Sequence, residues 1–174
     1  GSIVKLGCLG RYAEQKGLDV LLKAFLTLCK EQPNMEFHLA GFEKIKFKEP
    51  LGSGNIKLYG RIRDIGHFYE NIDIFILPSR YGEGTPNMLL EALSFGTPCI
   101  GTDVGDIRKI LADGWGIVVP PNNSFEIKNA ITKLIRHANF SDKSSRIKRQ
   151  EHIKKYYCKN RCVQQYLKEA FGYS

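Results

Sequence analysis

This 174-residue sequence predicts a doubly wound α/β fold, a single domain built on a parallel six-stranded sheet with helices on both faces. Three observations carry the prediction. Short runs of continuous Val, Ile, Leu and Phe, such as "DIFIL" at 73–77 and "GIVV" at 116–119, suit strands whose two faces are both kept from water. Between these runs lie segments with apolar residues three and four apart, the spacing of a helix that buries one face. At 43% hydrophobic and 25% charged, the chain holds enough apolar material for one well-cored domain and is too short for two ordinary ones.

The elements follow in order. "IVKLGCL" (3–9) is an apolar strand ending at Gly10, and Gly17 opens a helix with Leu18, Leu21, Leu22, Phe25, Leu28 and Cys29 on one face. "EFHLA" (36–40) is a strand, "IKLY" holds another with its core at 57–59, and a short helix covers Asp64 to Glu70. A strand at 73–77 precedes a helix from Pro86 to Phe95. The strand "PCIG" (98–101), a short helix near Asp106 to Leu111 and a strand at 116–119 come next. Asn123 with Glu126 resembles a capping box, heading a stripe of Ile127, Ala130, Ile131, Leu134, Ile135 and Ala138. A last helix carries Val163, Tyr166, Leu167, Ala170 and Phe171. No internal repeat, low-complexity segment or linker divides the chain, so residues 3–174 are expected to form one domain.

Composition narrows the function classes. No apolar run approaches the roughly 20 residues of a membrane span, and no charged leader opens the chain, which therefore reads as cytoplasmic. Gly1-Ser2 reads as a cloning remnant and the chain as an excised piece of something larger. Five cysteines, at 8, 29, 99, 158 and 162, are an odd number, and three sit in apolar patterns, so no disulfide framework is expected. Cys158 and Cys162 with His152 lack a second ligand pair at metal spacing and read as ordinary thiols. The net charge of +8 lies largely between Lys143 and Lys168, where a solvated helical face is the ordinary explanation. A membrane surface or a phosphate-bearing partner is the alternative.

In such a sheet, ligands bind at the carboxyl ends of the strands, in the loops that follow them. After 73–77 comes "PSRYGEG" and then Thr85-Pro86, the form of an N-cap with proline at the first helical position. That helix end would offer free N–H groups and a positive dipole to phosphate oxygens or sugar hydroxyls. Gly82 and Gly84 keep the loop backbone unobstructed. Pro86 to Glu91 rises about 7.5 Å, so Glu83 and Glu91 can touch opposite ends of one extended ligand. A carboxylate accepts two hydroxyl hydrogens at once, which suits Glu91 to a ribose diol and Glu83 to a sugar. Equally, Asn87, Glu91 and Ser94 fit a solvent stripe with Glu83 as a loop charge, and spacing leaves both readings open. In the first loop, "GRYAEQKG" sets Arg11 and Lys16 before a helix N-terminus, where two cations can neutralise a diphosphate. The loop is neither a Walker A motif nor a G-x-G-x-x-G loop.

With "GRYAEQKGLDVLLKAF", "YGRIRDIGHFYENIDIFILPS" and "EGTPNMLLEALSFGTPCIGTDVGD" in this order, the chain from Ile3 to Phe171 resembles the C-terminal, donor-binding half of group 1 retaining glycosyltransferases of the GT-B class. Glu83 and Glu91 stand at the family's E-x7-E spacing. The resemblance implies a Rossmann-like half-fold with a nucleotide-diphosphate-sugar site (UDP- or GDP-sugar). In it Arg11 and Lys16 hold the diphosphate, Glu91 the ribose and Glu83 the transferred sugar. Gly10, Gly84, Thr85, Pro86 and Asn87 complete the contacts, and the base rests near Gly60, Arg61 and Ile62.

Catalysis would fall to Glu83, Arg11 and Lys16, the cations stabilising charge on the leaving diphosphate while the sugar becomes oxocarbenium-like. The family works without a bound metal, and no cofactor is expected. One departure stands out: where the family has a glycine-rich turn after the second strand, "AGFEKIKFKEPLGSGN" has only Gly41 before Phe42, Glu43 and Lys44.

The expected partners are a nucleotide-sugar donor, an N-terminal acceptor-binding domain absent from these residues, and a membrane surface, with nucleic acid not expected. The isolated half should bind donor and transfer poorly or not at all. Bacterial surface polysaccharide or glycoconjugate synthesis is the setting the resemblance implies. Two other readings are a nucleotide-sugar sensor that never catalyses and a basic RNA- or membrane-binding module.

Overall fold

The computed structural model describes residues 3–42, 55–137 and 142–157. Six strands, β1 (Val4–Leu9), β2 (Met35–Ala40), β3 (Ile56–Tyr59), β4 (Ile74–Leu77), β5 (Cys99–Thr102) and β6 (Gly116–Val119), form one sheet in the order β3-β2-β1-β4-β5-β6. Every pairing is parallel. The doubly wound α/β class predicted from continuous apolar strands is the one observed.

Helices α1 (Leu18–Glu31) and α5 (Ser124–Arg136) cover one face. Between them and the sheet sit Leu6, Leu21, Phe25, Leu28, Phe37 and Ile131, all fully buried, each contributing about 1.5–3 kcal/mol by leaving water. On the other face lie α2 (Ile65–Glu70), α3 (Asn87–Ser94), α4 (Ile107–Ile110) and α6 (Lys143–Tyr156), around Tyr69, Phe75, Leu89 and Ile107. The Asn123 cap is present, its Oδ1 accepting the Glu126 N–H at 3.1 Å. Asp64 caps α2 in the same way through the His67 N–H.

Several expectations are corrected. The helix expected from Pro86 starts at Asn87, with Pro86 at the cap position, and Thr85 caps nothing: its hydroxyl donates to Asp106 Oδ2 at 2.8 Å. The basic segment from Lys143 is not wholly solvated. Arg149 is buried and donates from Nε to the Gly96 carbonyl at 2.8 Å, and Arg146 reaches the Phe95 carbonyl at 3.4 Å. Two guanidiniums thus bind the carboxyl end of α3, where carbonyls lack helical partners and the dipole is negative. Ala138, the last helix at 163–171, Cys158 and Cys162, and most of the loop after Phe42, with Glu43 and Lys44, lie outside the described residues.

Candidate functional site

β1 and β4 lie side by side, yet the chain runs outward from them in opposite directions, to β2 and β3 on one side and to β5 and β6 on the other. At this switch of winding, the loops that follow the two strands stand at the usual ligand position of an open α/β sheet. The loop after β1 carries Gly10 to Gly17, and the loop after β4 carries Pro78 to Pro86.

The two loops are stitched together. Gly17, at φ 58°, closes a short 3-10 turn over Glu14–Lys16, and a Cβ there would lie 2.2 Å from the Pro78 carbonyl oxygen. The chain needs glycine for both the backbone angle and the approach. The Arg80 N–H donates to the Gln15 carbonyl (2.7 Å), and Gln15 Nε2 donates back to the Gly82 carbonyl (3.0 Å). The Arg80 side chain reaches the Glu14 carbonyl (2.8 Å), Asp19 Oδ2 (2.6 Å) and Asn122 Oδ1 (2.6 Å). It thereby links the first loop, the first turn of α1 and the loop after β6. Burial raises the Asp19 pKa and the Arg80 hydrogen bond and charge lower it; the net result lies below the usual carboxylate value.

Within this frame Lys16 Nζ stands 2.5 Å from Glu83 Oε1, and Ser79 Oγ donates to the same oxygen at 2.5 Å. The Glu83 side chain is 8% exposed, which excludes the reading of a solvated loop charge. Its second oxygen, Oε2, accepts no hydrogen bond from any described residue. The loop beyond Glu83 rests on the one after β5. Gly105, at φ 57°, brings its Cα so close that a Cβ would lie 1.8 Å from the Glu83 carbonyl oxygen, and the Asp106 N–H donates to the Gly84 carbonyl at 3.3 Å.

The other predicted residues divide. Glu91, half-buried, accepts from the fully buried Tyr69 hydroxyl at 3.0 Å, so it is not part of a solvent stripe, whereas Asn87 and Ser94 are exposed. The same hydroxyl lies 3.1 Å from the Met88 carbonyl, and one proton serves one acceptor at a time. Burial first, then the Glu91 charge, pushes the Tyr69 pKa far above that of a free phenol. Gly10 lies beside the Lys16 stem, Gly84 and Thr85 are exposed, and Pro86 is buried. Arg11 is exposed, with no hydrogen bond or ion pair among the described residues, so the structure unites Lys16 but not Arg11 with Glu83. Gly60 accepts the Gly41 N–H at 3.1 Å, Arg61 points outward, and Ile62 packs under α2. Sequence reasoning missed Ser79, Arg80 and Asp106, and only their place in the quoted motif flagged them. Among the described residues no cluster of His, Cys, Asp and Glu could hold a metal ion. Cys8 is buried, and burial lifts its thiol to about 12, so it is inert at neutral pH.

The model of the family described as "Glycosyl transferases group 1" matches residues 4–137. The chain belongs to the group 1 glycosyltransferases. Among curated glycosyltransferases it is 31% identical over 134 residues to the phosphatidyl-myo-inositol mannosyltransferase of Mycolicibacterium smegmatis, covering 73% of this chain and 35% of that protein. It is 30% identical over 121 residues to the lipopolysaccharide core biosynthesis mannosyltransferase LpsB of Rhizobium meliloti, covering 63% and 34%. The matches thus span about a third of these relatives' length.

Solved structures share the fold. Anabaena HepE, solved in complex with UDP-glucose, superposes with a TM-score of 0.81 at 18% identity, over 98% of this chain and 49% of that one. The C-terminal domain of the group 1 family protein LpcC from Francisella tularensis superposes with a TM-score of 0.72 at 21% identity, over 88% of this chain and 86% of that one. No helix among the described residues is long and apolar enough to cross a membrane.

Proposed function

We propose that this chain is the donor-binding half of a two-domain retaining glycosyltransferase that takes a UDP- or GDP-sugar and acts in surface polysaccharide or glycoconjugate synthesis. The observation that carries the reading is the Lys16–Glu83–Ser79 cluster at the winding switch, a cation and a carboxylate with one open oxygen side by side. An ammonium suits a diphosphate, and an open carboxylate oxygen suits a sugar hydroxyl. Arg11, exposed in the loop after β1, joins Lys16 on the diphosphate. Glu91, steadied by Tyr69, takes the ribose hydroxyls. Gly10, Gly84, Thr85, Pro86 and Asn87 line the phosphate and sugar path, and Gly60, Arg61 and Ile62 the base.

As the sugar–phosphate bond breaks, negative charge grows on the leaving diphosphate, and fixed cations stabilise that charge more than the ground state. Glu83, Arg11 and Lys16 are the catalytic groups in this reading. Neither metal nor other cofactor has a role in it. Acceptor binding falls to an N-terminal domain outside these residues, in keeping with the shares of 35% and 34% of the relatives' length, and the half alone transfers poorly or not at all. The crystallised LpcC domain of similar extent supports a self-contained C-terminal half. In this reading the protein is cytoplasmic and works at the inner membrane face, on acceptors of the lipid and lipopolysaccharide kind that the relatives' names print.

Calorimetric titration with UDP, GDP, UDP-glucose and GDP-mannose tests the proposal. Binding of one base series, weakened by Lys16→Ala and Glu91→Ala in variants that remain folded, is the expected result. A folded chain that binds none of the four, even when joined to its N-terminal half, overturns it.

A further inference from the structure

Building on the reading of Glu83 as the contact to the transferred sugar, we infer that Ser79 is a positioning residue that fixes which oxygen of Glu83 meets the ligand, with Thr102 holding it in place. Ser79 is fully buried just past the end of β4, and its single hydroxyl proton is given to Glu83 Oε1. Lys16 takes that same oxygen. Two donors on Oε1 fix the carboxylate's rotation and turn Oε2, which accepts from no described residue, toward the ligand.

The two donors are not equivalent. Lys16 carries an ammonium on a flexible stem, and an arriving diphosphate competes for it. Ser79 has a short side chain, lies away from solvent and already donates its one proton to Glu83. It therefore keeps Oε1 engaged while Lys16 turns to the phosphate, so Glu83 need not be repositioned during binding.

The backbone behind Ser79 is held by a specific device. Pairing of β4 with β5 ends at Leu77 and Gly101, and one residue further the buried Thr102 hydroxyl donates to the Ser79 carbonyl. A side chain continues the sheet where main-chain pairing stops. The N–H of the same peptide unit, that of Arg80, is bound to the Gln15 carbonyl, so the peptide that follows Ser79 is held at both its C=O and its N–H. A buried serine could also be placed merely to satisfy its own hydroxyl. That bland role predicts no link between Ser79 and sugar recognition.

The test compares UDP with UDP-glucose and GDP with GDP-mannose by calorimetry on wild type, Glu83→Gln, Ser79→Ala and Thr102→Val, and takes the affinity ratio within the pair that binds. If Glu83→Gln leaves that ratio unchanged, the sugar contact of Glu83 and this inference fall together. If Glu83→Gln lowers it, the expected result is a fall of about three- to tenfold in Ser79→Ala, the size of the net contribution of one hydrogen bond, with diphosphate affinity held within about twofold. Thr102→Val should lower the ratio in the same sense by less. A ratio unchanged in Ser79→Ala, or diphosphate and sugar-diphosphate weakened equally, overturns the positioning role while leaving the proposed function standing. Ser79→Cys, nearly isosteric with a weaker donor, takes the place of the alanine variant should that one fail to fold, with the same outcomes.

Discussion

Lys16 and Glu83, 67 residues apart in the chain, meet at 2.5 Å between Nζ and Oε1, with side chains only 14% and 8% exposed. A pair this sheltered escapes most of the solvent screening that makes surface pairs weak. Lys16→Met should therefore cost ligand affinity, by about 1–3 kcal/mol, and also stability, because Glu83 loses its cationic partner and is left with Ser79 alone as donor. Adding Glu83→Gln should restore part of the stability and none of the affinity. Urea unfolding of the four proteins of the cycle measures the coupling, expected at about 0.5–3 kcal/mol; strictly additive effects would mean that the two groups do not interact.

Two glycines of the same loop system should behave oppositely. Gly105→Ala forces a left-handed backbone on alanine, at about 1–2 kcal/mol, and drives a methyl into the Glu83 carbonyl oxygen. Circular dichroism melting should show a clear drop, with ligand binding lost at temperatures where the protein is still folded. Gly84→Ala meets nothing within 4 Å, so its melting temperature should match wild type. Weaker donor binding by that stable variant would place ligand against the Gly84 backbone.

Tyr69→Phe removes the hydroxyl that steadies Glu91. Net loss of one hydrogen bond predicts a stability cost of about 0.5–1.5 kcal/mol. The informative readout is nucleotide affinity, which should fall although Tyr69 itself is fully buried and touches no ligand. Unchanged affinity would show that Glu91 needs no support, or has no ribose to hold.

His38, buried on β2, gives a pH prediction. Glu36 lies 3.1 Å from Nε2, the Tyr59 hydroxyl 3.0 Å from Nδ1, and Lys57 and Lys5 face the same side of the sheet. Burial, aided by the two lysines and opposed by Glu36, holds its pKa below 6.5. The unfolded chain then binds the proton more readily than the native one. The neutral form's advantage is complete above the unfolded value of 6.5 and is lost as pH falls below it toward the folded value. Denaturant midpoints followed from about pH 8 to 5 should decline for wild type below this point, and less for His38→Gln. Parallel curves would assign the decline to other groups.

Much of this architecture was legible locally. Within "DIFIL", Ile74 to Leu77 are buried throughout as β4, the stripe from Leu18 to Leu28 is the inner face of α1, and Asn123 caps α5. Such features depend on neighbours within a turn or two, and side-chain period reports them. Thr85 shows where local reasoning stops. Threonine before proline has the chemistry of a cap, but Asp106, 21 residues on, offers its hydroxyl a charged acceptor. The basic helix makes the same point, since nothing near Arg149 in sequence announces Gly96 as its partner.

The sequence by itself determined the alternating strands and helices, their sidedness, and the candidate residues Lys16, Glu83 and Glu91, because apolar period and motif spacing are properties of short stretches. Tertiary structure alone decided that Lys16 rather than Arg11 meets Glu83 and that Arg80 binds three segments. Those contacts join residues brought together by the register of β1, β4 and β5, and no local preference encodes a distance across a sheet.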